Sequence, residues 1–254
     1  MKPFLEKLHC AQQTRRSWLG IALDILTANT PLPIQPYDEP MLPFARAVIE
    51  ATADLACAYV VNPAFYLAEG AAGVVALERI VRLVPSEAVL IFDSAFAGAE
   101  HDAYAHARAA FEAFRADAAT LAACVAPTAL TPFLGARDKG IFFWCETTSE
   151  LAQARAKLID GAEAAVGFAT SHAEEAWLRA ARPDAPESVL LIRTDAAEMD
   201  YAALARWGKT QEGVGALVIA SHAVIYASRR MDFADQIRAA ALARVQAMRM
   251  HGLV

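Results

Sequence analysis

The sequence lacks the apolar runs that a membrane or secreted protein needs. Hydrophobic residues make up 56% of the 254 positions, but a charged or polar residue interrupts each long apolar run. None reaches the roughly 18 positions that span a bilayer. Residues 1–20 contain neither a continuous apolar segment nor a small-residue cleavage site, so we predict no secretory signal. We therefore expect a cytoplasmic chain with no membrane partner.

Basic clusters and paired cysteines are also scarce. The formal net charge is −6, and no Lys/Arg cluster interleaves with aromatic residues, so we expect no nucleic-acid partner. The cysteines at positions 10, 57, 124 and 145 lie far apart without a C-x-x-C spacing. This spacing favours reduced thiols over disulfides or a zinc site.

No linker or low-complexity tract divides the chain, although residues 27–43 are rich in proline. Short apolar runs recur, and each precedes a segment with helical spacing, as in repeated βα units. The predicted strands are 18–24, 55–62, 89–93, 118–124, 140–145, 164–170, 188–193 and 215–221. We predict an α/β fold, a single (β/α)8 TIM barrel. It forms one domain over 1–254, with its barrel core at about 17–245.

Two segments have the apolar stripe of a helix packed on a barrel. In residues 101–115 the predicted stripe is Tyr104, Ala107, Phe111 and Phe114. Near the end of the chain it is Phe233, Ile237, Ala241 and Val245.

Chemistry in such barrels lies at the carboxyl ends of the strands. That rule selects the polar residues that end or follow the predicted strands. The candidates for ligand binding are Asp24, Asn62, Asp93, Arg193, Asp195 and His222.

Four segments, taken in order, resemble a known enzyme family. They are ALD at 22–24, ATADLACAYVVNPAFYLAEGAAGVVALER at 51–79, DKGIFFWCETTS at 138–149, and ASHAVIYAS at 220–228 followed by DFA. The sequence thereby resembles the bacterial type 2 branch of the orotidine 5′-phosphate decarboxylase family, barrel enzymes that make UMP. Asp24 stands at the family's ribose-contacting aspartate, and Asn62 at the asparagine of its K-P-N motif.

The resemblance fails where the family carries its chemistry. The stretch IFDSAFAGAEHDAY at 91–104 aligns with the family motif D-A-K-R-x-D-I. Asp93 keeps the first aspartate, Ala95 stands at the catalytic lysine, and Gly98 stands at an aspartate that the family inserts into the neighbouring subunit's site. Val60 replaces the lysine of K-P-N. The resemblance implies that a lysine protonates the carbanion-like centre, which alanine cannot do.

The phosphate-binding motifs differ as well. The family uses a glycine-rich turn after strand seven, whereas this chain has IRTDAAEMD at 192–200. Ala223 stands where the family has a phosphate-binding arginine after strand eight. Arg193 is a cation that can compensate, but its position at the end of a strand leaves its direction open.

Three interpretations follow. The first is a pseudoenzyme with a degenerate site that acts as a partner, regulator or ligand-binding protein in pyrimidine metabolism. It would form a homodimer, or a heterodimer with an active paralogue, bind a small molecule or nucleotide, and use no cofactor. The second is a repurposed enzyme whose acidic rim binds a divalent metal or a cationic or neutral substrate; the rim residues are Asp24, Asp93, Glu146, His172, Asp195 and His222. The third is a genuine decarboxylase with a non-standard site.

Overall fold

The structure is a computed structural model that describes residues 2–157, 162–171, 174–182, 186–195 and 199–253. Eight parallel strands close into a barrel in sequence order, and β8 pairs with β1. The strands are β1 (Leu19–Ala22), β2 (Ala58–Val61), β3 (Val89–Phe96), β4 (Ala118–Ala122), β5 (Gly140–Trp144), β6 (Ala165–Thr170), β7 (Val189–Arg193) and β8 (Leu217–Ala220). All eight predicted strands are confirmed, most of them with shorter bounds.

One helix precedes β1, and the others follow the strands and cover the outside of the barrel. They are α1 (Pro3–Arg15), α2 (Met41–Thr52), α3 (Pro63–Leu67), α4 (Gly70–Val81), α5 (Glu100–Arg108), α6 (Thr131–Leu134), α7 (Thr148–Ala156), α8 (Glu175–Ala181), α9 (Tyr201–Trp207), α10 (His222–Ile225) and α11 (Phe233–Met250). None of the helices within the described ranges is long and apolar enough to cross a membrane.

Each strand alternates between two apolar environments. Leu90 and Phe92 of β3 belong to the cluster that packs against the helices, whereas Val89 and Ile91 belong to the cluster inside the barrel. Burial on both faces explains why the strands read as continuous apolar runs. Because successive side chains point to opposite faces, the alternation also determines which later residues face the interior.

Helix α1 closes the amino-terminal end of the barrel. The Phe4 ring meets the Phe142 ring edge-on, with 6.0 Å between centroids. The Gln12 side chain donates to the carbonyls of Gly215 and Ala216 and accepts from the Gly215 N–H group, so the helix is tied to the chain just before β8. The covered end leaves the carboxyl ends of the strands for ligand binding.

The predicted stripe of α11 is confirmed. Phe233, Ile237, Ala241 and Val245 are all buried against the barrel.

The stripe predicted after β3 is wrong at Tyr104, whose exposed fraction is 59%. The residues that α5 buries are Ala103 and Ala107. A π-helical turn, Ala109–Ala113, follows α5 directly. Its wider turn breaks the 3.6-residue period on which the predicted stripe depended. Phe111 and Phe114 pack against the core as predicted, although they are only partly buried.

The four cysteines are free, as predicted. Cys57 and Cys145 are buried, and burial raises the pKa of each thiol to about 12. These two side chains therefore act as small apolar groups.

The barrel interior is filled so tightly that Gly167 has no room for a side chain. A Cβ atom there would lie 2.6 Å from Cε1 of Phe142 and would also strike the Val189 carbonyl oxygen. We predict that Gly167→Ala lowers the free energy of unfolding by about 1–3 kcal/mol, because the barrel would be overpacked.

The matched control is Gly135→Ala, where the new Cβ lies 3.4 Å from the Thr131 carbonyl oxygen and the backbone is right-handed. Urea titration of both variants is the measurement. Equal stabilities for the two variants would contradict the packing described for the interior.

Candidate active site

At the carboxyl ends of the strands, polar and aromatic side chains occupy the positions that point into the barrel. Ile91 and Leu191 point into the barrel, so residues two positions later point the same way. The side chains brought together in this manner are Asp24, Asp93, Thr120, Trp144, Arg193 and Ser221.

Arg193 lies between two buried carboxylates. Its Nη1 atom is 2.6 Å from Oδ2 of Asp93, and its Nη2 atom contacts Oδ2 of Asp24. The side chains of Asp24 and Asp93 are 0% and 5% exposed, whereas that of Arg193 is 23% exposed. We refer to these three residues as the central cluster. One cation thus balances two acids at the mouth of the barrel.

The Asp93 carboxylate is held on both of its oxygens. Oδ1 accepts hydrogen bonds from the Thr120 hydroxyl at 2.7 Å and from the Trp144 indole N–H at 2.9 Å, while Oδ2 faces Arg193. Burial raises the pKa of Asp93, and the hydrogen bonds from Trp144 and Thr120 oppose that change. The carboxylate therefore has a fixed position and direction.

One oxygen of the Asp24 carboxylate has no hydrogen-bond partner in the described part of the chain. Oδ2 accepts from the Ser221 hydroxyl at 3.2 Å in addition to its contact with Arg193. Oδ1 is buried and unpaired within the described residues. A buried acceptor without a partner costs about 1–3 kcal/mol.

Ala95 and Gly98 lie on an irregular segment at the end of β3. The register between β3 and β4 shifts between Phe92 and Phe96. Ala95 has φ +43°, and its N–H group donates to the Thr120 hydroxyl at 2.8 Å. A Cβ atom on Gly98 would lie 2.7 Å from Cε2 of the buried Phe96 ring, so an aspartate at that position would displace the ring.

Val60 lies deeper in the barrel. It is 2% exposed and belongs to the interior apolar cluster. Its side chain therefore fills space and offers no charge to the site.

Three other predicted ligand residues have local structural contacts. The Asn62 side chain caps α3 by accepting from the Ala64 N–H group at 2.9 Å. Oδ1 of Asp195 accepts from the N–H group of Ser221 at 2.7 Å and from that of Ala223 at 3.4 Å. Nε2 of His222 lies 3.1 Å from the Asp24 carbonyl oxygen. Each of them therefore supports the loops around the central cluster.

The described members of the predicted acidic rim do not form a group that could hold a metal ion. The Glu146 carboxylate accepts from the N–H group and hydroxyl of Ser171, and Asp195 holds the start of α10. Within residues that the structure describes, no group of three or more His, Cys, Asp or Glu side chains is placed to hold a metal ion. His172 lies outside the described residues.

Sequence reasoning missed Thr120 and Trp144, and left the direction of Arg193 open. The alternation of inward- and outward-facing residues along each strand could have identified them. Thr120 lies two positions after the interior residue Ala118, and Trp144 lies two positions after Phe142. Extending the period of two through each strand end identifies all of them.

The chain is similar in sequence to known proteins. No protein-family model matches it. The orotidine 5′-phosphate decarboxylase of Thermomicrobium roseum is 33% identical to it, over 94% of this chain and 92% of that protein. The enzyme of the same name from a Roseiflexus species is 31% identical, over 94% of both chains.

A solved structure has a similar fold. The orotidine monophosphate decarboxylase of Leishmania donovani superposes with a TM-score of 0.76 at 24% identity, over 98% of this chain and 99% of that one. This likeness concerns the barrel architecture.

The comparisons correct one expectation from the sequence. The expected pseudoenzyme is wrong, because relatives that match nearly the whole chain are named as the decarboxylase. That expectation relied on the absence of a lysine at position 95. It did not establish where the Arg193 side chain points, and the guanidinium lies in the central cluster. Since two relatives are more than 30% identical over most of its length, the chain belongs to the orotidine 5′-phosphate decarboxylase family.

Proposed function

We propose that this chain decarboxylates orotidine 5′-monophosphate to UMP at the carboxyl end of a single (β/α)8 barrel domain that spans 1–254, with its core at about 17–245. The observation that carries the proposal is the central cluster, in which Arg193 holds the buried carboxylates of Asp24 and Asp93 at the mouth of the barrel. The names of the relatives supply the reaction.

Asp93 is the group placed to act on the substrate carboxylate. Its position is fixed by Thr120 and Trp144, so it cannot turn away when a second carboxylate binds beside it. Two like charges in a buried site raise the energy of the bound substrate. Loss of carbon dioxide relieves that repulsion, and the transition state is therefore favoured over the bound substrate.

Asp24 stands where the family resemblance puts a ribose-contacting aspartate. Its Oδ1 atom is a buried acceptor without a partner in the described ranges, and a ribose hydroxyl is a donor. We therefore assign Asp24 to ribose binding and Asp93 to the reacting carboxylate.

Asp93 carries the negative charge that would face the substrate carboxylate. We expect Asp93→Asn to lower kcat/KM for orotidine 5′-monophosphate by about 10²- to 10³-fold, because the charge opposite the substrate carboxylate is lost. Loss of ultraviolet absorbance of the substrate is the measurement.

Asp138→Asn is the matched control, since Asp138 is an exposed acid outside the site. Thermal unfolding of each variant separates loss of activity from loss of fold. A wild-type protein that does not turn over the substrate would refute the proposed function.

The charge of Asp195 opposes phosphate binding. Asp195 occupies the backbone N–H groups of Ser221 and Ala223, and its charge lies near the position where the family resemblance puts a phosphate-binding arginine. We expect Asp195→Asn to bind UMP about threefold more tightly, because a partly screened repulsion is removed while the side-chain oxygen still accepts from Ser221.

Titration calorimetry with UMP measures this affinity. Uridine serves as the control ligand, because it has no phosphate and its affinity is expected to stay unchanged. An equal gain for both ligands would contradict a phosphate effect.

We also propose that two copies of the chain associate, as the family resemblance predicts. Apolar side chains of α3 and α4 line a cavity of about 360 Å³ on this surface, among them Leu67 at 62% and Val74 at 37% exposed. Neighbouring exposed apolar side chains of this kind support an interaction surface here.

The test is the mass in solution by light scattering. We expect a dimer for the wild type and a monomer for Leu67→Glu. Met250→Glu is the matched control, because Met250 is 80% exposed at the end of α11 and should leave the dimer intact. A wild-type monomer would refute the association.

A further inference from the structure

We propose that Arg193, from β7, is the catalytic cation of the reaction, doing the work that the family resemblance assigns to a lysine on β3. The inference rests on the proposed decarboxylation. In this assignment the guanidinium stabilises the negative charge that develops on the pyrimidine ring and supplies the proton that replaces carbon dioxide.

The first step is the position of the charge. The contact between Nη1 of Arg193 and Oδ2 of Asp93, at 2.6 Å, joins residues 100 positions apart in the sequence and crosses the barrel mouth from β7 to β3. The guanidinium is therefore held next to the carboxylate that follows the interior face of β3.

The second step is accessibility. Both carboxylates of the central cluster are buried, whereas 23% of the Arg193 side chain is exposed. The cation is thus the part of the cluster that is most open to a bound substrate. A guanidinium has five N–H donors, and its two carboxylate contacts leave others for the substrate.

Arg193 provides the ion pairs of both Asp24 and Asp93 within the described ranges. Positions 95 and 60 carry alanine and valine. The positive charge that the reaction needs is therefore supplied by Arg193 at the end of β7.

Burial supports this role. It lowers the pKa of Arg193 below its ordinary value, against the opposing effect of Asp195. A ring carbanion is far more basic than guanidine, so the transfer is downhill.

The step balances in atoms and charge. The bond between the ring carbon and the carboxylate breaks, its electron pair stays on the ring carbon, and carbon dioxide leaves. One N–H proton of Arg193 then passes to that carbon and gives the neutral ring of UMP. Water returns a proton to the guanidine, and the accompanying hydroxide is neutralised by solvent.

The experiment compares Arg193→Gln with Arg193→Lys. We expect Arg193→Gln to lose about 10²- to 10⁴-fold in kcat/KM, the range typical of a positioned acid or a preorganised charge. Arg193→Lys should retain more activity. Arg79→Gln is the matched control, since Arg79 pairs with Glu39 on the exposed face of α4.

The pH profile keeps the test decisive even if Arg193→Gln does not fold. A catalytic cation must be protonated, so activity falls as pH rises through its pKa. Because lysine loses its proton at lower pH than arginine, the alkaline limb of kcat for Arg193→Lys should move to lower pH than in the wild type. An unchanged limb in an active Arg193→Lys variant would overturn the proposal.

Ligand binding separates this inference from the proposed function. The probe is the 6-hydroxy analogue of UMP, a barbiturate with an anionic ring that imitates the carbanion. In folded Arg193→Gln its affinity should fall at least about 100-fold, as expected for a transition-state mimic that loses its cation, while the affinity for neutral UMP changes little.

Turnover and ligand binding together distinguish a failure of the proposed function from a failure of the role of Arg193. A wild-type protein that fails to turn over the substrate refutes the decarboxylation, but selective loss of the anionic analogue in Arg193→Gln still supports the position of the cation against the ring. Equal loss of both ligands, or wild-type kcat/KM in Arg193→Gln, overturns the role of Arg193.

Discussion

The contact of Arg193 with Asp24 and Asp93 is the interaction on which the rest of the site depends. Two carboxylates out of water are costly unless a cation and hydrogen bonds compensate for their lost hydration. Thr120, Trp144 and Ser221 provide those bonds. The polar residues at the mouth of the barrel therefore form one connected network, in which each member restricts the position of the others.

The apolar interior below this network keeps it rigid. Val89, Ile91 and Leu191 fill the barrel, while Phe142 meets Phe4 of α1 at the closed end. Side chains packed in this way have few alternative rotamers. The charged cluster consequently rests on a base that cannot collapse when the charges above it change.

Much of the fold could be predicted from the sequence, because buried parallel strands produce apolar runs that are visible locally. Asp24 and Asp93 could be predicted too, since each follows such a run. The direction of Arg193 could not, because it depends on barrel closure, which brings β7 to face β3 across the mouth. Judging position 95 within its own strand therefore led to the wrong expectation of lost catalysis.

The shared contacts of Arg193 also restrict the order in which such a site can change. A chain that already has an arginine at 193 can lose a lysine at 95 and still hold two compensated acids. The opposite order passes through a protein with two buried carboxylates and no cation, which destabilises the fold strongly. In this chain Ala95, with its left-handed backbone beside Thr120, lies in a site whose two buried acids are paired from β7.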